Sequence, residues 1–192
     1  MDAQLTLFDT RTPAPEGLLY LPEFISQAAE QALIDQVAAL PLQPFQFGQY
    51  EGKRRVASFG FRYDYTLRRL QAAEPIPAWL DDLIEKVQDF GGPGTQIRQV
   101  LCTEYAQSVG IGWHRDKPHF ERIFGLSLAS ACKFRFRRDI GRGKWQRFTL
   151  DAAPRSIYMM SGPSRQSWEH SIPAVEAPRY SITFRTMADR NA

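Results

Sequence analysis

From residue 95 onward the chain reads as short alternating segments, and this feature restricts the fold more than any other. Strand character runs over Gln96 to Tyr105, Ile111 to Asp116, Phe124 to Ala129, Cys132 to Arg138, Trp145 to Leu150, Ser156 to Ser161 and Tyr180 to Met187. Short strands at regular spacing predict a sandwich or barrel core. Two helices precede them. Ser26 offers an N-cap for a helix through about Leu40, with Ala29, Leu33, Ile34, Val37 and Leu40 on one stripe. Pro75 and Pro77 open a second, striped by Trp79, Leu80, Leu83, Ile84, Val87 and Phe90 and ended by Gly91 to Gly94. The expected class is α+β, mainly β, with the helices packed on one sheet.

At 192 residues, one domain over 16–190 is the natural count, preceded by a flexible tail over 1–15. No apolar run approaches a membrane span, and no basic-then-apolar leader opens the chain, so a cytoplasmic protein is expected. Nothing demands an oligomer, so a monomer is expected. Cys102 and Cys132 form no CxxC pair and read as reduced strand residues. A net charge of +3 is too mild to name a partner by itself.

The chemistry sits in the strands. His114 and Asp116 are spaced i, i+2, so an extended backbone sends both side chains to one face. A distant His170 then completes a two-histidine, one-carboxylate set, which occupies one face of an octahedral Fe(II) and leaves the other open. An HxD alone is common and weak as a signal. The ending adds to it: alternation puts Arg179, Ser181, Thr183 and Arg185 on one face. A buried guanidinium requires a carboxylate. A dicarboxylic ligand would supply two; internal acids or a sheet edge are the other solutions. Between residues 45 and 67, aromatics interleave with Lys53, Arg54, Arg55 and Arg62. Phe59, Phe61, Tyr63 and Tyr65 are expected on one strand face, either as half-buried packing or as a lid that stacks on a base. Phe134 and Phe136 alternate with Lys133, Arg135 and Arg137, and Arg138 extends a basic row that becomes a phosphate surface if it borders a site.

Thr103-Glu104-Tyr105, then His114-Arg115-Asp116, then Ser164-Arg165 before His170, then Arg179 to Arg185, together resemble the AlkB family of Fe(II)- and 2-oxoglutarate-dependent dioxygenases. The resemblance covers roughly Leu18 to Met187. It implies a double-stranded β-helix (jelly-roll) core over 95–187, a substrate lid over about 45–67, Fe(II) as the metal, and 2-oxoglutarate and O₂ as co-substrates. It implies His114, Asp116 and His170 as iron ligands. Arg179, helped by Tyr105 and Ser181, would take the distal carboxylate of 2-oxoglutarate, with Arg185 and Thr103 near the chelating end. Phe61 and Tyr63 would line a base pocket, with Arg137 and Arg138 holding nucleic acid. The implied reaction is oxidative demethylation of N-alkylated bases in DNA or RNA, as in alkylation damage repair. The alternative is the same iron chemistry on a protein or small molecule. Thr103 and Ser181 stand where the family often has Asn, and both keep a hydrogen-bonding side chain. Pro118 replaces an acidic residue that touches the base in the founding bacterial enzymes. His119 beside it is expected to be an exposed loop histidine.

Overall fold

The alternation of the C-terminal half resolves into two sheets whose inner faces meet. The computed structural model describes residues 13–47, 49–64 and 67–188. Most of the expected tail, Tyr65 and the last two residues of the expected domain lie outside that set. The larger sheet has the order β1-β11-β8-β13-β6-β3-β2. Its strands are β1 (Leu18–Leu21), β2 (Gln43–Phe47), β3 (Tyr50–Phe59), β6 (Gln99–Tyr105), β8 (Phe120–Leu128), β11 (Ile157–Met160) and β13 (Arg179–Met187). The smaller sheet has the order β10-β9-β12-β7, from β7 (Ile111–His114), β9 (Cys132–Asp139), β10 (Trp145–Ala152) and β12 (Glu169–Ile172). A separate hairpin pairs β4 (Phe61–Asp64) with β5 (Arg69–Ala72). This is the jelly-roll expected. Neither Cys102 nor Cys132 is in a disulfide; both are buried in strands.

Period-two alternation divides the larger sheet between two cores. Val100, Cys102, Phe124, Leu126, Leu128, Ile182 and Phe184 face the helices α1 (Gln27–Ala38) and α2 (Asp81–Gly91), packing on Leu33, Val37, Leu83 and Val87. Tyr105 and Ile123 instead face the smaller sheet and join Phe134, Phe136, Trp168 and Ile172. Ser26 caps α1 as expected: its Oγ accepts from the Ala29 N–H at 3.2 Å. The helix ends two residues earlier than its stripe suggested. The second helix opens as a 3₁₀ turn over Ala78–Leu80, where the Leu80 N–H bonds the Pro77 carbonyl. Arg155 ties α1 to the sheet by bridging Glu23 at 2.8 Å and Glu30 at 3.1 Å, while Glu30 also accepts from the Ala129 N–H.

Two strand expectations need correction. Phe59 and Phe61 do not share one continuous strand, because the chain turns at Gly60. Its φ is +76°, and a Cβ there would sit 2.3 Å from the Arg98 carbonyl oxygen, so only glycine fits. Phe59 goes to the helix-side core, while Phe61 and Tyr63 go to the hairpin. The strand over 111–116 stops at His114, where register with β12 ends. Asp116 therefore stands in the following loop. β12 was not among the expected strands: Glu169, His170, Ser171 and Ile172 show no apolar alternation.

Candidate metal centre

The strand pairing assembles the centre. His114, the last residue of β7, lies directly opposite His170 of β12, and their ring centroids are 4.3 Å apart. The loop after β7 then brings Asp116 Oδ2 to 3.2 Å from His170 Nε2. One ligand atom from each of the three residues lies within 4.8 Å of the other two. His114 Nδ1 faces the Gly112 carbonyl at 2.8 Å. That contact makes Nδ1 the protonated nitrogen and leaves the Nε2 lone pair for a metal.

Charge states fit as well. Burial, with His170 adding to it, pushes the His114 pKa down to about 4, so its imidazole is neutral at physiological pH. Burial alone would raise the Asp116 carboxyl, but the Arg185 guanidinium, then His170 and His114, outweigh it and hold the group well below the usual carboxylate range. Two imidazoles and one carboxylate on one side of a cavity are the donor set of a facial Fe(II) site.

Around this centre opens a cavity of about 1210 Å³. Thr103, Tyr105, Thr183 and Arg185 line it, as do Tyr63 and Arg62 from the hairpin. Besides the triad and Arg185, the charged residues that line it are Arg54, Arg62, Arg115, Lys117 and Glu74. Arg185 donates to Asp116 Oδ1 at 2.9 Å and to Gln99 Oε1 at 2.7 Å. Arg179 is 2 % exposed and does not line the cavity; it lies 5.1 Å from the Tyr105 ring centroid and donates one bond, to Ser127 Oγ at 3.0 Å. Its Nε and Nη1 are buried with no partner among the described residues. Ser181 is buried beside it, in register with Thr103 on one side and Ser127 on the other.

The remaining expected site residues divide. Tyr63 reaches the cavity and Phe61 does not, although both stand on β4. Arg137 and Arg138 also stand outside the cavity. Phe134 and Phe136 take the inner face of β9, which sends Arg137 outward. There it lies between Trp113 and Trp145, at 4.5 and 4.4 Å from their ring centroids, and pairs with Glu169 at 2.6 Å. Arg138 lies over Trp168 and donates to Gln146 at 2.7 Å. His119 is half-buried, not exposed, and packs on Tyr63 with ring centroids 5.7 Å apart.

Sequence reasoning missed three supports. Gln99 meets Arg185 only through the β6–β13 register. Ser127 meets Arg179 only because β8 neighbours β13. Arg165, buried on the short helix α3 (Gly162–Gln166), donates to the Lys117 carbonyl and so holds the loop that carries Asp116. The Ser164-Arg165 pair was visible in the sequence, but its target was not.

Comparison with known proteins agrees with this site. Residues 17–185 match the family model of the 2OG-Fe(II) oxygenase superfamily. The chain is 30% identical to the alkylated DNA repair protein ALKBH8 homolog of Arabidopsis thaliana, over 88% of this chain and 54% of that protein. It is 29% identical to the mouse tRNA (carboxymethyluridine(34)-5-O)-methyltransferase ALKBH8, over 82% of this chain and 24% of that protein. It is 33% identical to human DNA oxidative demethylase ALKBH2, over 72% and 59%. The chain thus spans about half, or less, of the first two relatives. Among solved structures, OsALKBH1 superposes with a TM-score of 0.67 at 16% identity, covering 92% of this chain and 99% of that one, a likeness of fold. Triad, jelly-roll and relatives agree that this chain belongs to the 2OG-Fe(II) oxygenase superfamily and, within it, to the AlkB family, whose chemistry requires Fe(II), 2-oxoglutarate and O₂.

Proposed function

We propose that this chain oxidatively removes alkyl groups from the nitrogens of bases in DNA or RNA. The observation that carries the reading is the cavity over the triad, lined by Arg54, Arg62, Arg115 and Lys117 against one further carboxylate, Glu74. Such a wall suits a polyanion, and the volume exceeds what a small dicarboxylate needs. The human relative is named for DNA demethylation and the mouse relative for a tRNA activity, so nucleic acid is the shared class and the polymer is open.

In this reading His114, Asp116 and His170 hold the metal. Arg185 keeps Asp116 ionised and aimed. Arg179, with Tyr105 and Ser181, takes the distal carboxylate of 2-oxoglutarate: its Nε and Nη1 have no partner among the described residues, and a carboxylate is the planar, bidentate partner that a guanidinium fits. Thr103 stands near the chelating end. Bound Fe(II) with 2-oxoglutarate and O₂ supplies the oxidising power, giving succinate, CO₂ and a hydroxylated alkyl carbon. The resulting N-hydroxymethyl group collapses to formaldehyde and the free base nitrogen. The target base enters single-stranded or flipped out. Tyr63 flanks it, and Arg54, Arg62, Arg115 and Lys117 hold flanking phosphates.

The test is succinate and formaldehyde release by the Fe(II)-loaded protein on 1-methyladenine oligonucleotides, DNA and RNA, against unmodified controls. Formaldehyde-coupled turnover on one methylated polymer, abolished in Asp116→Ala, is the expected result. Slow succinate release that ignores the methylated oligonucleotide would remove 1-methyladenine as substrate and direct the search to other alkylated bases and to proteins.

A further inference from the structure

Across the inner face of the larger sheet one row of residues runs Tyr158, Gly125, Thr183, Leu101 through β11, β8, β13 and β6. The second position has no side chain, and its space is taken. A Cβ on Gly125 would sit 2.2 Å from Tyr158 Cζ and 2.4 Å from its hydroxyl oxygen. Tyr158 therefore lies down across Gly125 instead of standing toward the opposite sheet. Phe134 holds the ring in that position, with centroids 4.5 Å apart and planes inclined by 32°.

The hydroxyl is thereby brought near one charge in particular. Among the charged and polar groups that act on it, Arg179 comes first, followed by Tyr105, Asp116 and Cys132. Burial keeps the phenol protonated throughout the physiological range, so it is available as a donor. The nearby anion, Asp116, is already engaged by Arg185 and His170. Tyr158 lines the cavity, whereas Arg179 stands behind its wall. A neutral donor facing a cavity, beside a buried cation with two unused nitrogens, is a recognition site for a carboxylate.

We propose that Tyr158 is a specificity-determining residue of the co-substrate pocket, its hydroxyl donating to the distal carboxylate of 2-oxoglutarate alongside Arg179. The inference rests on the reading of Arg179 given above. It also explains Gly125: any side chain there displaces the hydroxyl.

The test is calorimetric titration of the full chain, loaded with redox-inert Mn(II), with 2-oxoglutarate. Tyr158→Phe keeps the ring over Gly125 and on Phe134 and removes one donor. The expected result is a Kd for 2-oxoglutarate raised about tenfold, the scale of a hydrogen bond to a charged group, with Mn(II) affinity unchanged. Gly125→Ala, which leaves the donor in place but pushes it away, should give the same selective loss. An unchanged Kd in Tyr158→Phe, or an equal weakening of Mn(II), overturns the proposal. Arg179→Met separates the two readings: if it weakens 2-oxoglutarate and Tyr158→Phe does not, only Tyr158 falls. If wild type itself binds no 2-oxoglutarate, both fall.

Discussion

Arg179 and Arg185 sit six residues apart on one face of one strand, yet their surroundings are opposite. Arg185 has an internal carboxylate, Asp116, and an amide, Gln99. Arg179 has the Ser127 hydroxyl and the Cys132 thiol beside it, and two nitrogens without a partner among the described residues. A buried guanidinium is stable only against a counter-charge. At Arg185 that charge is Asp116, part of the chain and of the candidate metal triad, so the ion pair holds the triad's carboxylate in place. At Arg179 two nitrogens have no partner among the described residues, and in the proposed function the co-substrate supplies the counter-charge.

The largest effect that tests this contrast is Asp116→Ala. Turnover should fall to background. Metal-free stability, from urea unfolding in chelator, should drop by about 3 kcal/mol, because Arg185 is left buried without its partner. Adding Arg185→Gln should recover much of that loss. Full additivity of the two changes would break the claim that they form one unit.

Arg179→Met should behave in the opposite way. Metal-free stability should hold or rise, since an unpaired charge is removed. The Kd for 2-oxoglutarate should rise roughly a hundredfold, the scale of a lost charge-assisted pair. Stabilisation by co-substrate, about 2.7 kcal/mol at a hundred times the wild-type Kd, should fall to about 0.4 kcal/mol at the same concentration.

A smaller effect sharpens the division within the hairpin. Tyr63→Ala should raise KM for a methylated oligonucleotide about tenfold, as for the loss of one stacking face. Phe61→Ala should leave KM near wild type. Equal effects would mean that the hairpin reorganises around substrate.

Arg155 supplies the exposed limit of the comparison. Its hydrogen bond holds the Glu23 carboxyl below its ordinary value of 4.5, outweighing the rise from burial. Because the folded value is the lower one, the contribution is present above pH 4.5 and fades as pH falls through that region. Glu23→Gln should flatten the acid limb of stability only slightly, since solvent screens the pair.

Much of this molecule was legible in the chain. The Ser26 cap, the helix stripes and the alternation of Arg179 to Arg185 follow from local geometry, because the periods of helix and strand belong to the backbone itself. The triad was legible too, since HxD with a later histidine limits the chemistry, although Asp116 reaches the metal from a loop and not from the strand first assumed.

What alternation cannot state is which strand lies beside which. β13 sits between β6 and β8, neither adjacent to it in sequence, and that order alone sets Gln99 against Arg185 and Ser127 against Arg179. The Gly60 turn, which separates Phe61 from Phe59, depends on how closely the Arg98 carbonyl approaches. The outward fate of Arg137 depends on which face of β9 meets the core. The Ser26 cap, the alternation, the donor set and the family follow from the chain alone. Tertiary structure decided which charges are paired, which glycine is covered and which aromatics face the cavity, because those properties arise only when distant segments pack together.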